Sequence, residues 1–107
     1  MEAQLKKGII ETAVLAALVN TDSYGYRIIQ DLSGIAEISE STLYPILKRL
    51  EQSGCLTTYN IEHGGRLRKY YKITLEGKSR IKKFLNDWHE INEIYNYILN
   101  AGLEKKL

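Results

Sequence analysis

Ser39-Glu40-Ser41-Thr42-Leu43-Tyr44-Pro45-Ile46-Leu47-Lys48-Arg49-Leu50-Glu51-Gln52-Ser53-Gly54 is the stretch on which the fold turns. Leu43, Ile46, Leu47 and Leu50 recur at the spacing of one helix face. Ser39 is a natural N-cap, and Glu40 puts negative charge at the positive end of the helix dipole. Pro45 falls in the opening turns, where a missing amide is expected to cost least. Gly54 is a natural stop. The expected helix covers 40–53, with small polar residues at its start and an apolar face behind.

Upstream, Tyr24, Ile28, Ile29 and Leu32 are spaced for burial in a short helix over 24–33, which Ser33-Gly34 ends. Ile38 is an apolar anchor before the Ser39 cap. Residues 5–19 read as a first helix. Leu5, Ile9, Ala13, Ala16 and Ala17 form one stripe, with Ile10, Val14 and Leu18 beside it. Asn20-Thr21-Asp22-Ser23 is a polar break. Downstream the pattern changes to strand formers, Leu56-Thr57-Thr58-Tyr59 and Ile61. A turn at 62–66 follows, then a second strand from Lys69 to Ile73. Thr74 caps a long helix running to about Asn100. Three helices, a hairpin and a last helix make a mainly α chain with a small β-hairpin (α+β). That is the order of a winged helix-turn-helix. The expected division is 1–74 for DNA binding and 75–107 for dimerisation.

The chain of 107 residues allows one domain with a small core. A single cysteine, Cys55, allows no internal disulfide and no multi-thiolate metal site. It reads as a small core hydrophobe. The longest apolar stretch, Ala13 to Val19, is far too short to cross a bilayer, and no secretory signal is legible. A reducing, cytoplasmic setting is expected, with no membrane partner. His63 and His89 share no ligand spacing, and no phosphate loop or nucleophile elbow is present. Catalysis, a metal and a cofactor are therefore not expected. His63 reads as a solvated loop residue within reach of phosphate, and His89 has no evident partner.

Charge is uneven. Net charge is only +2, but residues 62–72 carry Arg66, Arg68, Lys69 and Lys72 against Glu62, a local +3. Residues 1–60 carry five bases against seven acids, and so −2. Positive charge on a hairpin tipped by Gly64-Gly65 suits contact with a DNA backbone. In the paired helices, short side chains at the start of 40–53 suit approach to a major groove. Ser39, Ser41, Thr42 and Tyr44 are the candidate contacts, and Lys48 lies one turn beyond Tyr44. The helix pair alone reads equally as a capped hairpin in a small bundle.

Ile81, Phe84, Trp88, Ile91, Tyr95 and Ile98 form a heptad seam on the last helix, with Leu85, Ile94 and Leu99 beside it. A helix of roughly 25 residues is about 38 Å long. A small core cannot cover that length, so a homodimer is expected, with two symmetry-related recognition helices. Trp88 is either a packing anchor or one wall of an aromatic pocket shared with the first helix.

Several motifs recur together. Tyr24-Gly25-Tyr26, Ser41-Thr42-Leu43-Tyr44-Pro45-Ile46-Leu47-Lys48-Arg49-Leu50-Glu51, Gly54-Cys55-Leu56 and Arg68-Lys69-Tyr70-Tyr71-Lys72-Ile73-Thr74-Leu75-Glu76-Gly77 resemble the PadR family of bacterial transcriptional regulators. The resemblance runs over residues 9–77. It implies a winged helix that dimerises through its C-terminal helix, binds a pseudo-palindromic operator in double-stranded DNA and usually acts as a repressor. It also implies release by a small aromatic or hydrophobic effector. The family's DNA-contacting residues fall here on Ser41, Thr42, Tyr44 and Pro45. The start of the second helix falls on Tyr24, Gly25 and Tyr26, with Tyr24 or Tyr26 near a phosphate. The wing falls on Arg66, Arg68 and Lys69. Its single C-terminal helix resembles the short subfamily, with any pocket at the dimer interface around Trp88, and its wing reads as short.

Overall fold

The computed structural model describes residues 1–103, so the last four residues of the expected 75–107 segment lie outside the described residues. The elements are α1 (Ala3–Ala16), α2 (Gly25–Leu32), α3 (Glu40–Gln52), β1 (Leu56–His63), β2 (Arg66–Ile73) and α4 (Leu75–Leu99). The order is that of a winged helix: three helices, an antiparallel hairpin, and a long final helix.

The core is where α1, α2, α3 and the base of the hairpin meet. Val14, Leu15, Leu18, Ile28, Leu32, Leu43, Ile46, Leu47, Leu50, Cys55, Leu56, Tyr71 and Ile73 are buried together. Helix α1 is set earlier than the expected 5–19. Past Ala16 the amides of Leu18 and Val19 bond three residues back rather than four, which tightens and ends the helix. Leu18 still turns inward, while Leu5 and Ala16 of the expected apolar face are exposed.

Helix α3 begins and ends on identifiable chemistry. The Ser39 hydroxyl accepts the Thr42 amide at 3.3 Å. At the other end Cys55 N bonds Leu50 O and Gly54 N bonds Glu51 O, a Schellman closure that needs the left-handed Gly54, φ +80°. Pro45 falls at the depth the sequence places it, but that depth is past the first turn, so its missing amide is not one of those that a helix start leaves unpaired. It is the sixth residue of α3, so the Ser41 carbonyl has no amide four residues on.

The hairpin is longer than expected. The turn is only Gly64-Gly65, with φ +59° and +80°, and His63 pairs directly with Arg66. Both positive angles belong to a two-residue type I′ turn, whose twist matches the strands and lets pairing run to the tip. The wing is therefore two eight-residue strands, about 27 Å long, and not short. Glu62, His63, Arg66 and Arg68 are strand residues rather than loop residues.

A further pairing joins the polar break to the sheet. Ser23 and Tyr71 exchange both backbone hydrogen bonds, at 3.2 and 2.7 Å. Thr74 caps α4 by accepting the Gly77 amide, and donates its hydroxyl to Gly54 O at 2.6 Å. A Cβ on Gly77 would come 2.5 Å from Cys55 O, so only glycine lets α4 start this close to the hairpin. The first half of α4 lies along α1, and its residues from Ile91 onward are all exposed.

Candidate nucleic-acid interface

Helix α3 sets out the candidate contacts by its own periodicity. With Leu43, Ile46, Leu47 and Leu50 inward, Ser41, Pro45 and Lys48 face out. Tyr44 leans to the wing side, and Thr42 and Arg49 lean toward α1. Ser39, Ser41 and Thr42 form one hydroxyl cluster, with Ser39 Oγ 2.8 Å from Ser41 Oγ and 3.2 Å from Thr42 Oγ1. Ser39 thus acts first as the helix cap.

Between α2, α3 and the wing lies a cleft of about 800 Å³. It is lined by Tyr24, Tyr26 and Tyr44 with Arg66, Arg68 and Lys69, and also by His63 and Leu67. Residues from three separate motifs converge here. Gly25 permits that convergence, because a Cβ there would meet the Tyr44 hydroxyl at 2.6 Å. Ser41, Thr42 and Pro45 are not part of this cleft. They border a second one, of about 420 Å³, between α3 and the start of α1. Lys48 is exposed and lines neither.

The wing is held by an aromatic ladder. The Arg68 guanidinium carbon lies 4.1 Å over the Tyr24 ring. Tyr24 meets Tyr70 edge-on at 5.4 Å, and Tyr70 stacks on Tyr59 at 5.7 Å. The Tyr59 hydroxyl then donates to Asp22 Oδ2 at 2.6 Å. The ladder binds the hairpin to the chain just before α2, and a cation over a ring adds about 0.5–1 kcal/mol at an exposed site. The hydrogen bond to Asp22, then partial desolvation, raises the Tyr59 pKa. Burial raises that of Tyr71, with smaller contributions from Tyr44 and Glu51.

Strand alternation divides the expected basic row. Arg66 and Arg68 share one face of β2 and Lys69 takes the other. Lys69 Nζ lies 3.9 Å from Glu51 Oε1 on α3, while Glu51 Oε2 accepts the Thr58 hydroxyl at 3.1 Å. Lys69 therefore ties the wing to α3 while still bordering the cleft.

The seam on α4 also divides. Ile81, Phe84 and Trp88 are half-buried, whereas Ile91, Tyr95 and Ile98 are 45%, 57% and 62% exposed. Trp88 lies 5.9 Å from Phe84, centroid to centroid. Both line a groove of about 350 Å³ together with Leu5, Ile9 and Thr12 of α1. The exposed end of the Leu5 stripe thus faces Trp88.

Three features escape a reading of the sequence. Glu11 is buried between two arginines: its Oε1 is 3.0 Å from Arg49 and its Oε2 is 2.7 Å from Arg80. It links α1, α3 and α4, and its one signal is an acid set among apolar neighbours. The Asp22 to Tyr59 bond has no signal, since its partners lie 37 residues apart. His89, expected to stand alone, has Glu93 one turn on at 3.2 Å. Among the described residues no cluster of metal-binding side chains occurs, and no helix is long and apolar enough to cross a membrane.

Comparison with known proteins agrees with this fold. The family model described as "Transcriptional regulator PadR-like family" matches residues 14–83. The crystal structure of smu.1704 from Streptococcus mutans UA159 is similar at 44% identity, with a TM-score of 0.77, covering 88% of this chain and 89% of that one. A PadR-like transcription factor from Bacteroides fragilis is similar at 36% identity, with a TM-score of 0.81 and coverage of 90% and 95%. A PadR family transcription regulator from Clostridium difficile R20291 is similar at 31% identity, with a TM-score of 0.76 and coverage of 84% and 97%. Fold, matched region and relatives converge on regulators of transcription rather than enzymes: the chain belongs to the PadR-like family of transcriptional regulators.

Proposed function

We propose that the protein is a homodimeric, sequence-specific DNA-binding repressor, cytoplasmic, acting on a pseudo-palindromic operator. Residues 1–74 bind DNA and 75–107 dimerise. The observation that carries the reading is the wing-side cleft, where three tyrosines meet Arg66, Arg68 and Lys69. A concave, basic, hydroxyl-rich surface beside an exposed helix face suits a duplex with its phosphates against the wing. Ser41, Thr42, Tyr44 and Pro45 of α3 then approach base edges. Lys48, Tyr24 and Tyr26 contact phosphates.

Dimerisation is supported by the exposed apolar half of α4, from Ile91 to Leu99. A partner helix laid along it removes that surface from water and supplies a second α3; a pseudo-palindromic operator then asks for the two helices about one DNA turn apart, roughly 34 Å. The groove at Trp88 and α1 is the seat for a small aromatic or hydrophobic effector.

The test is selection of duplexes from a random pool, followed by binding at graded salt. Selected sites should contain two related half-sites. Arg66→Ala with Arg68→Ala should flatten the salt dependence by about 0.9 for each phosphate that the wing no longer neutralises. An unchanged slope would sink the wing assignment. Failure to select any duplex would instead favour a protein-interaction module. For the effector, planar aromatic cations should quench Trp88 fluorescence, and no quenching by any of them removes that part of the reading.

A further inference from the structure

We propose that Lys6 and Lys7, at the start of α1, form a second phosphate-binding flank on the side of α3 opposite the wing. The inference rests on the DNA-binding reading and extends it to an element not otherwise counted in the interface. A helix inserted in a major groove about 12 Å wide has a phosphate strand on each side. The wing answers one strand. The cleft of about 420 Å³ on the other side is lined by Lys6, Lys7 and Ile10 of α1 facing Ser41, Thr42 and Pro45 of α3. The two lysines therefore border the same hydroxyl-bearing turn of α3 that is assigned to the groove.

Their charge is unanswered within the protein. Among the described residues neither lysine has an acidic group within 4.0 Å, and Glu2, one turn earlier, does not reach Lys6. The neighbouring cations differ, since Arg49 and Arg80 both converge on Glu11. Glu11 is buried and held by that pair, so it leaves the lysines as the outward charges of this flank. Both lysines are exposed. An ammonium on a flexible stem gives up little by moving onto a phosphate that it meets as a point charge. The apolar floor, Ile10 and Ile46, offers a phosphate nothing, so contact belongs to the rim.

The intact 107-residue chain tests this. Wild type, Lys6→Ala with Lys7→Ala, and Lys6→Arg with Lys7→Arg are compared on a duplex selected by the wild type and on a random duplex. Salt is varied from about 50 to about 200 mM. The alanine pair should flatten the log-log salt slope by about one per lysine per protomer. It should weaken both duplexes by the same factor, with thermal melting unchanged, and the arginine pair should restore the slope. The inference is overturned if the alanine pair keeps the wild-type slope while Arg66→Ala with Arg68→Ala loses it; the DNA-binding reading then survives alone. A loss confined to the selected duplex at unchanged slope also overturns it, because that is base readout. No duplex binding by the wild type overturns both readings.

Discussion

Helix α3 and the outer half of α4 carry the same kind of apolar stripe and treat it in opposite ways. Leu43, Ile46, Leu47 and Leu50 are all buried. Ile91, Ile94, Tyr95, Ile98 and Leu99 are all exposed. The difference lies in the neighbours. Helix α3 is crossed by α1, α2 and the hairpin, whereas the outer part of α4 leaves them behind in a molecule 64 Å long and 26 by 22 Å across. A stripe specifies a face, and burial needs a second surface within reach. In α3 that surface comes from the same chain. On the dimer reading, α4 takes it from a second copy.

The comparison can be broken from either end. The largest expected effect is in α3, where Leu47→Ala should cost about 2–5 kcal/mol in chemical denaturation. A loss below about 1 kcal/mol would mean that the core around α3 is not closely packed. In α4, Ile91→Asp with Ile98→Asp should leave the helical circular dichroism of a dilute sample intact. It should yield a monomer mass in sedimentation equilibrium and a melting temperature independent of concentration. A persisting dimer would place the interface elsewhere.

A smaller effect is expected where the two regions join. Glu11→Gln weakens the link among α1, α3 and α4 and should cost about 1–2 kcal/mol in urea, near the low end for charged hydrogen bonds. Arg49 and Arg80 are about two-fifths exposed, so water partly replaces the missing carboxylate. A neutral result would show that the triad is not a structural link.

The smallest effect concerns the wing. Tyr59 and Tyr71 both have pKa values raised above the ordinary 10.0. Each is favoured neutral in the folded state. Their contribution is therefore complete below pH 10.0 and is lost as pH rises through the folded values. Stability followed by denaturation against pH should fall in that alkaline window, and Tyr59→Phe should remove its share of the fall. An identical profile in the variant would mean that the Asp22 bond makes no pH-dependent contribution.

The legible parts of the chain are those set by near neighbours. The α3 cap, its stop at Gly54 and its inward leucines all depend on residues within a turn or two. The hairpin is legible, but its reach is not. Gly64-Gly65 reads as part of a five-residue loop, although two positive φ angles suffice to close the turn. Glu62, His63 and Arg66 thereby enter the strands. The site residues are legible as separate motifs, yet their division between two clefts is not, since it depends on how α3 is rotated between α1 and the wing. Sequence adjacency groups Lys69 with Arg66 and Arg68, and strand alternation overrides it.

By itself the sequence determined the order of elements, the inward faces, the winged-helix class and the resemblance to PadR regulators. Each is written in periodicity, caps and turns, which act over a few residues. Only the tertiary structure decided that Glu11 is answered by Arg49 and Arg80, that Ser23 pairs with Tyr71, and that Tyr24 holds Arg68. It also decided where the α4 stripe stops finding cover in its own chain. Those contacts join residues tens of positions apart, and their energies depend on distances that no local pattern encodes.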